Sequence, residues 1–331
     1  MATARFDVVG IGNAIVDVIA HAEEDFLAAH GLVKGAMTLI DAARAEALYA
    51  VMGPGLEMSG GSAGNTMAGL ASLGGAGAYI GKVRDDQLGD VFRHDMNAVG
   101  VRFATAPARS GPATARCLIL VTPDAQRTMN TYLGACVDLG PEDIDEAAIA
   151  DAQVTYLEGY LYDPPRAQEA FRKAAAIAHG AGRRVALTLS DPFCVDRHRA
   201  AFRALLEDHV DILFANEAEL CAMFETADFD AAVAAVRRFC DVAACTRSEK
   251  GSVVVAGEHT HVIAAAEVGR VVDTTGAGDL YASGFLFGLT RGRDLATCGR
   301  LGSLCAAEII SHVGARPEVG LATLAKEKGL I

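Results

Sequence analysis

The sequence predicts an α/β protein built on a doubly wound, mainly parallel sheet, with a small separate β-sheet beside it. Three observations carry that expectation. Short strand-like runs (Val154 to Leu157, Arg184 to Leu189, Val210 to Phe214, Ala243 to Thr246) alternate with alanine-rich helical stretches such as Arg166 to Gly180, the pattern that winds parallel strands with helices on both faces. Two extended pieces, Ala115 to Val121 and Arg127 to Tyr132, flank Thr122-Pro123-Asp124-Ala125-Gln126 and read as a hairpin. No internal repeat, low-complexity tract or Pro/Ser linker divides the chain, so residues 1–331 are expected to form one continuous core domain.

Taken in order, Phe6 to Ile11 is an apolar, β-branched run ending in glycines and reads as a buried strand, with Asn13 and Asp17 just past it. Strand-like pieces near 14–20 and 35–40 follow. From Gly60 to Gly75 a glycine-serine entry leads into Met67, Leu70 and Leu73 at helical spacing, closed by Gly74-Gly75. The pieces near 14–20 and 35–40 and the hairpin near 115–132 are expected to form a discontinuous small sheet. It is built from about 14–45 and 100–135 and acts as a lid over a site at the strand C-termini.

Bulk properties narrow the function. At 331 residues, 51% hydrophobic and 21% charged, the chain has ample core and reads as folded throughout. A net charge of −13 offers no Lys/Arg surface for a nucleic-acid polymer. It leaves small phosphate ligands open, because backbone amides at a helix N-terminus hold phosphate without net positive charge. Eight cysteines without a C-x-x-C pair or zinc spacing suit a reduced, cytoplasmic protein. The run Val8 to Gly12 is hemmed by Asp7, Asn13 and Asp17 and lacks a basic n-region, so neither export nor a membrane span is expected.

Two strings carry chemistry. Asp273-Thr274-Thr275-Gly276-Ala277-Gly278-Asp279 opens onto the apolar stretch Leu280 to Leu289. Gly276, Ala277 and Gly278 can aim successive N–H groups at one point at the positive end of that helix, a geometry for stabilising a transferring phosphoryl group. Asp279 stands beside them as general base for an incoming hydroxyl. The plain alternative is a helix-start carboxylate with glycines serving a turn. The first string resembles the C-terminal signature D-T-T/N-G-A-G-D of the ribokinase/PfkB family of carbohydrate kinases. The second, Ser59-Gly60-Gly61-Ser62-Ala63-Gly64-Asn65, resembles that family's N-terminal G-G-x-x-x-N helix start. The two stand in the family's order, and the resemblance runs from Gly10 to about Gly314.

Within the family the chain looks most like the adenosine-kinase branch. Gly12-Asn13-Ala14-Ile15-Val16-Asp17 resembles its G-N-P-x-x-D start, and Val210 to Glu219 its V-D-I-L-F-x-N-E-x-E. The resemblance implies a ribokinase-like fold and transfer of the ATP γ-phosphate to a sugar hydroxyl, here the 5′-hydroxyl of adenosine in purine salvage. It gives Asp17 the ribose hydroxyls, with Asn13, Gly61, Ser62 and Asn65 completing the cradle, and Met37, Met129, Tyr160 and Leu161 lining a purine pocket. Asn216 and Glu219 fall at its N-x-x-E motif, which organises Mg²⁺ through water; Asn216 equally reads as a helix cap. Arg127 resembles the lid arginine that reaches the transferred phosphate. Thr246 and Gly251 fall in the nucleotide loop. K⁺ held by backbone carbonyls near the Asp273 loop and Gly314 also fits the family, as does a monomer or homodimer.

Two departures stand out. Ser248 occupies the glycine position of the nucleotide loop's T-x-G, and Ala14 replaces the branch's proline. A sugar or sugar-acid kinase of the same family therefore remains the alternative acceptor reading. A dinucleotide-binding dehydrogenase would need a third glycine near Ile15 and an acidic residue where His30 stands. A binding module without catalysis has no reason to keep Asp279 inside its full glycine string, and no Walker A string occurs.

Overall fold

A computed structural model describes residues 4–124 and 126–331; Ala125, in the expected hairpin turn, lies outside the described residues. In chain order the strands are β1 Phe6–Ile11, β2 Ile15–His21, β3 Met37–Leu39, β4 Leu56–Ser59, β5 Gly77–Ile80, β6 Val101–Phe103, β7 Ala115–Val121, β8 Arg127–Tyr132, β9 Ala152–Glu158, β10 Arg184–Thr188, β11 Ile212–Asn216, β12 Val242–Thr246, β13 Ser252–Ala256 and β14 His259–Ile263. They form a large sheet ordered β14-β13-β12-β11-β10-β9-β1-β5-β6 and a second sheet ordered β3-β8-β7-β2-β4. The large sheet is parallel from β6 to β12, and β13 and β14 add an antiparallel edge.

β1 is the hinge of this topology. The chain leaves it toward β5 and β6 on one side and later returns to β9 on the other, so the C-terminal ends of β1 and β9 flank a switch point, where α/β sheets open a crevice. Alternation along β1 serves two cores. Val8 packs with the helices Ser62–Ser72, Ala277–Thr290 and Leu295–Ile309. Val9 and Ile11 pack with Pro165–Gly180 and Pro192–His209 on the opposite face.

The second sheet contains the expected pieces and two differences. Leu56–Ser59 joins it as β4, outside the expected boundaries, whereas Val101–Phe103, expected within it, pairs with β5 in the large sheet. Its own faces divide by alternation. Leu118 and Leu120 of β7 pack with Leu48 and Leu27, while Cys117, Ile119 and Val121 join the main core. Asp17 is the register partner of Cys117 and so shares that inward face. No helix among the described residues is long and apolar enough to cross a membrane.

The helix carrying Asp279 is set by one close approach. A Cβ at Gly284 would lie 2.5 Å from the Leu301 carbonyl oxygen and 2.6 Å from its carbon, and one at Gly302 2.7 Å from the Tyr281 oxygen. Backbone cannot yield as a side chain does. Gly284→Ala is therefore expected to cost about 1–3 kcal/mol by overpacking. Gly180→Ala, where a Cβ meets nothing within 4 Å, should be neutral or stabilise by up to about 1 kcal/mol. Thermal melts of the two variants check this, and equal melting temperatures would contradict it.

Candidate active site

The two motif strings meet at one carboxylate. Ser62 Oγ donates to Asp279 Oδ1 at 2.6 Å, and Asn65 Nδ2 donates to Asp279 Oδ2 at 3.0 Å. Both donors lie in the first turns of the helix Ser62–Ser72, and Asp279 lies in the first turn of Ala277–Thr290. Burial pushes the Asp279 carboxyl up to about 6, against the pull of Ser62, Asn65 and Arg316. Asn65 spends its amide on Asp279, and its Oδ1 is a buried acceptor without a partner.

The turn before each helix needs glycine. Gly61 has φ 83°, and a Cβ there would stand 2.3 Å from the Asn13 carbonyl oxygen. Gly276 caps the second helix at φ 79°. Ala277 N–H is returned to Thr274 O, and the N–H groups of Gly278 and Asp279 lack intrahelical acceptors, as first-turn groups do. They form the amide end of the site beside the Asp279 carboxylate.

Asp17 approaches from β2, its carboxyl carbon 2.4 Å from where a Gly60 Cβ would sit. Burial raises this acid to about 6 as well, opposed by Arg127 and Arg316. Asn13 is held by a residue the sequence reading passed over. Glu158, at the end of β9, accepts from Asn13 N (3.2 Å), Asn13 Nδ2 (2.7 Å) and Ala63 N (2.8 Å). It thus staples the two strand ends at the switch point to the start of the helix Ser62–Ser72. The signal available was a lone glutamate ending the apolar run Val154 to Leu157. Burial lifts Glu158 to about 7.

Asn216 and Glu219 form a capping box on the helix Glu217–Phe224: Asn216 Oδ1 accepts from Glu219 N at 2.9 Å, and Glu219 accepts from Asn216 N at 2.9 Å. Burial, then the nearby Asp191 and Asp279 charges, raise Glu219 to about 7. Burial first, then the charges of Asp191, Asp279, Glu219 and Glu158, raise the phenol of the half-buried Tyr160 as well. Thr246 lies beside Asn216 in strand register. Gly251 turns at φ 82°, and Ser248 adopts φ 51°, a left-handed conformation that suits the glycine it replaces.

Other expected site residues are placed as follows. Arg127 is 7% exposed and paired through Nη1 with Asp273 Oδ2 at 2.6 Å, so it latches β8 to the Asp273 loop. Leu161 is 1% exposed inside the core with Phe171 and Phe202, because the Gly159–Tyr162 turn directs it beneath the sheet's helices. Met37 and Met129 face each other in register across β3 and β8, yet Met37 is 47% exposed. Tyr160 is half-buried, its N–H donated to Ser190 Oγ at 3.0 Å.

Residues 39–319 match the pfkB family of carbohydrate kinases. The adenosine kinase of Sinorhizobium meliloti shares 57% identity and a TM-score of 0.91, over 98% of this chain and 100% of that one. A probable sugar kinase from Rhizobium etli CFN 42 shares 53% identity and a TM-score of 0.93, over 99% and 100%. The adenosine kinase of Saccharomyces cerevisiae is 29% identical over 327 residues, 92% of this chain and 94% of that protein.

The raised Asp279 acid has a stability consequence. Its folded value, about 6, lies above the ordinary 3.8, so the stability it contributes is present at low pH and is lost as pH rises through the folded value. Asp279→Asn cannot ionise. Thermal melts should show the variant gaining about 1–3 kcal/mol on the native chain between about pH 4 and pH 7; a difference independent of pH would contradict it.

Proposed function

This chain belongs to the pfkB family of carbohydrate kinases, and from that premise we propose that it moves the γ-phosphate of ATP to the 5′-hydroxyl of adenosine. The observation that carries the reading is the grip of Ser62 and Asn65 on Asp279 beside Asp17 and Asn13. A polyhydroxylic substrate meets matched acceptors there: the Asp17 carboxylate for vicinal ribose hydroxyls, the free Asn65 Oδ1, and the Asn13 Oδ1, since Asn13 has given its amide to Glu158. Asp279 then takes the proton of the attacking hydroxyl, and the free first-turn N–H groups of Gly278 and Asp279, turned by Gly276, meet the charge that develops on the phosphoryl oxygens.

Thr246 and Gly251, at the C-terminal end of β12 and the turn after it, would hold ATP. Bare polyphosphate would be disfavoured by the nearby Glu219 and Asp279 charges, which a divalent cation would offset. Asn216 and Glu219 would hold Mg²⁺ through water, since the capping box already occupies Glu219's oxygens, and the ion would neutralise phosphate charge there. K⁺, if the resemblance extends that far, would be held by backbone carbonyls of the Asp273 loop and the segment around Gly314. The second sheet serves as the lid, delivering Asp17 from β2 and Arg127 from β8, and release of Arg127 from Asp273 would bring the guanidinium to the phosphate. The eight free cysteines suit a cytoplasmic setting.

Met129 and Tyr160 would supply the apolar wall for a purine. A free sugar is the second reading. It is favoured by the burial of Leu161 and the exposure of Met37, which thin that wall, and by likeness to the Rhizobium etli protein.

A kinetic panel separates the two. Adenosine should exceed ribose in kcat/KM by about 5- to 150-fold, because one base stack contributes about 1–3 kcal/mol. Asp17→Ala should harm adenosine more than 2′-deoxyadenosine, which lacks one donor. Ribose equal to adenosine would remove the adenosine assignment.

A further inference from the structure

A residue outside both motif strings touches their junction. Arg316 follows the helix Leu295–Ile309, in Gly314-Ala315-Arg316-Pro317. Its Nη2 donates to Ser59 O at 2.7 Å and Ser59 Oγ at 3.0 Å, its Nε to Ser59 O at 3.2 Å, and its Nη1 to Gly64 O at 2.7 Å. Ser59 is held from the other side by Asp95, whose Oδ2 accepts its N–H at 2.8 Å. The guanidinium thus bridges the two ends of the turn Gly60-Gly61-Ser62-Ala63. Asp17 packs against Gly60 in the middle of that turn, and Asp279 is gripped by Ser62 within it and by Asn65 just beyond.

We propose that Arg316 is a positioning residue for phosphoryl transfer: it shapes the turn so that Ser62 and Asn65 grip Asp279, and its fixed charge keeps Asp17 and Asp279 ionised side by side. This rests on reading Asp279 as the base. Two carboxylates at close range disfavour each other's ionisation, and one guanidinium serving both removes that penalty. The other groups facing Asp279 cannot do so. Asp17 on β2, Glu158 on β9 and Glu219 on the helix Glu217–Phe224 are acids, and Tyr79, Tyr156 and Tyr160 are phenols. Ser62 and Asn65 are neutral donors. Arg127 acts on Asp17 but is engaged by Asp273. Arginine suits the task because its fork meets two carbonyls at once and its charge does not titrate away.

Two substitutions separate charge from shape. Arg316→Gln removes the charge, and Arg316→Lys keeps the charge but cannot fork both carbonyls. In the pH profile of kcat/KM with ATP, Mg²⁺ and adenosine, the acid limb of R316Q should move up by about one pH unit. R316K should keep the limb of the native enzyme and lose plateau kcat. A ¹³C-carboxyl titration of Asp279 by NMR reads the same acid without turnover and should rise by a similar amount in R316Q. Native acid limbs and an unmoved Asp279 titration in both variants would overturn the proposal, whatever the melting temperatures do. Should R316Q not fold, R316K decides: native plateau kcat overturns the proposal, and lowered kcat on an unmoved limb supports it. A native chain that transfers no phosphate while R316Q still raises the Asp279 titration fails the functional reading and upholds the electrostatic role of Arg316.

Discussion

One carboxylate is made to sit between two chain segments more than two hundred residues apart, and most of the fold can be traced to satisfying it. An aspartate taken out of water loses hydration that only directed donors replace. Asp279 finds them in Ser62 and Asn65. For those donors to arrive, the helix Ser62–Ser72 must start at a fixed height above β1 and β9, and Glu158 fixes that height by binding Asn13 and Ala63 together. The helix Ala277–Thr290 must lie close enough to bring its first turn alongside, and Gly284 against Leu301 permits that approach.

The electrostatics of the site follow from the same arrangement. Acids gather at the end of β9, just past β11 and in the first turn of the helix Ala277–Thr290; burial raises all three, and neighbouring carboxylates add to it at Glu158 and Glu219. Against them stand amide dipoles at helix starts and two guanidinium groups, Arg127 and Arg316. Arg127 is committed to Asp273 and ties the second sheet to the loop of the first.

Legibility in the sequence depended on whether a residue's task was local. β1 spans Phe6–Ile11 as its apolar run indicates, the β7–β8 hairpin falls where its turn residues indicate, and the glycine entry before Ser62 opens a helix. Asp279 stands out beside its glycine turn, and Ser62, Asn65, Asp17 and Asn13 are singled out by the resemblance of their strings to the family's motifs. Leu56–Ser59 could not be read as a strand, because four residues with no β-branched member gain extension only by pairing with β2. Glu158 and Arg316 escape for a related reason: most of their partners are backbone groups 95 to 257 residues away, and a backbone partner leaves no trace in composition. Leu161 was misplaced because an apolar residue beside a site and one beneath it look alike until the Gly159–Tyr162 turn is known.

The central claim is that Asp279 is the base and not only a first-turn carboxylate of its helix, and single-turnover phosphoryl transfer by Asp279→Asn tests it most directly. Substrate affinities should be measured separately by calorimetry. The account predicts adenosine and ATP bound within a few-fold of native affinity, and transfer slowed by about 10²–10⁴-fold, the usual contribution of a positioned general base. Transfer at near-native rate with both substrates bound would contradict it.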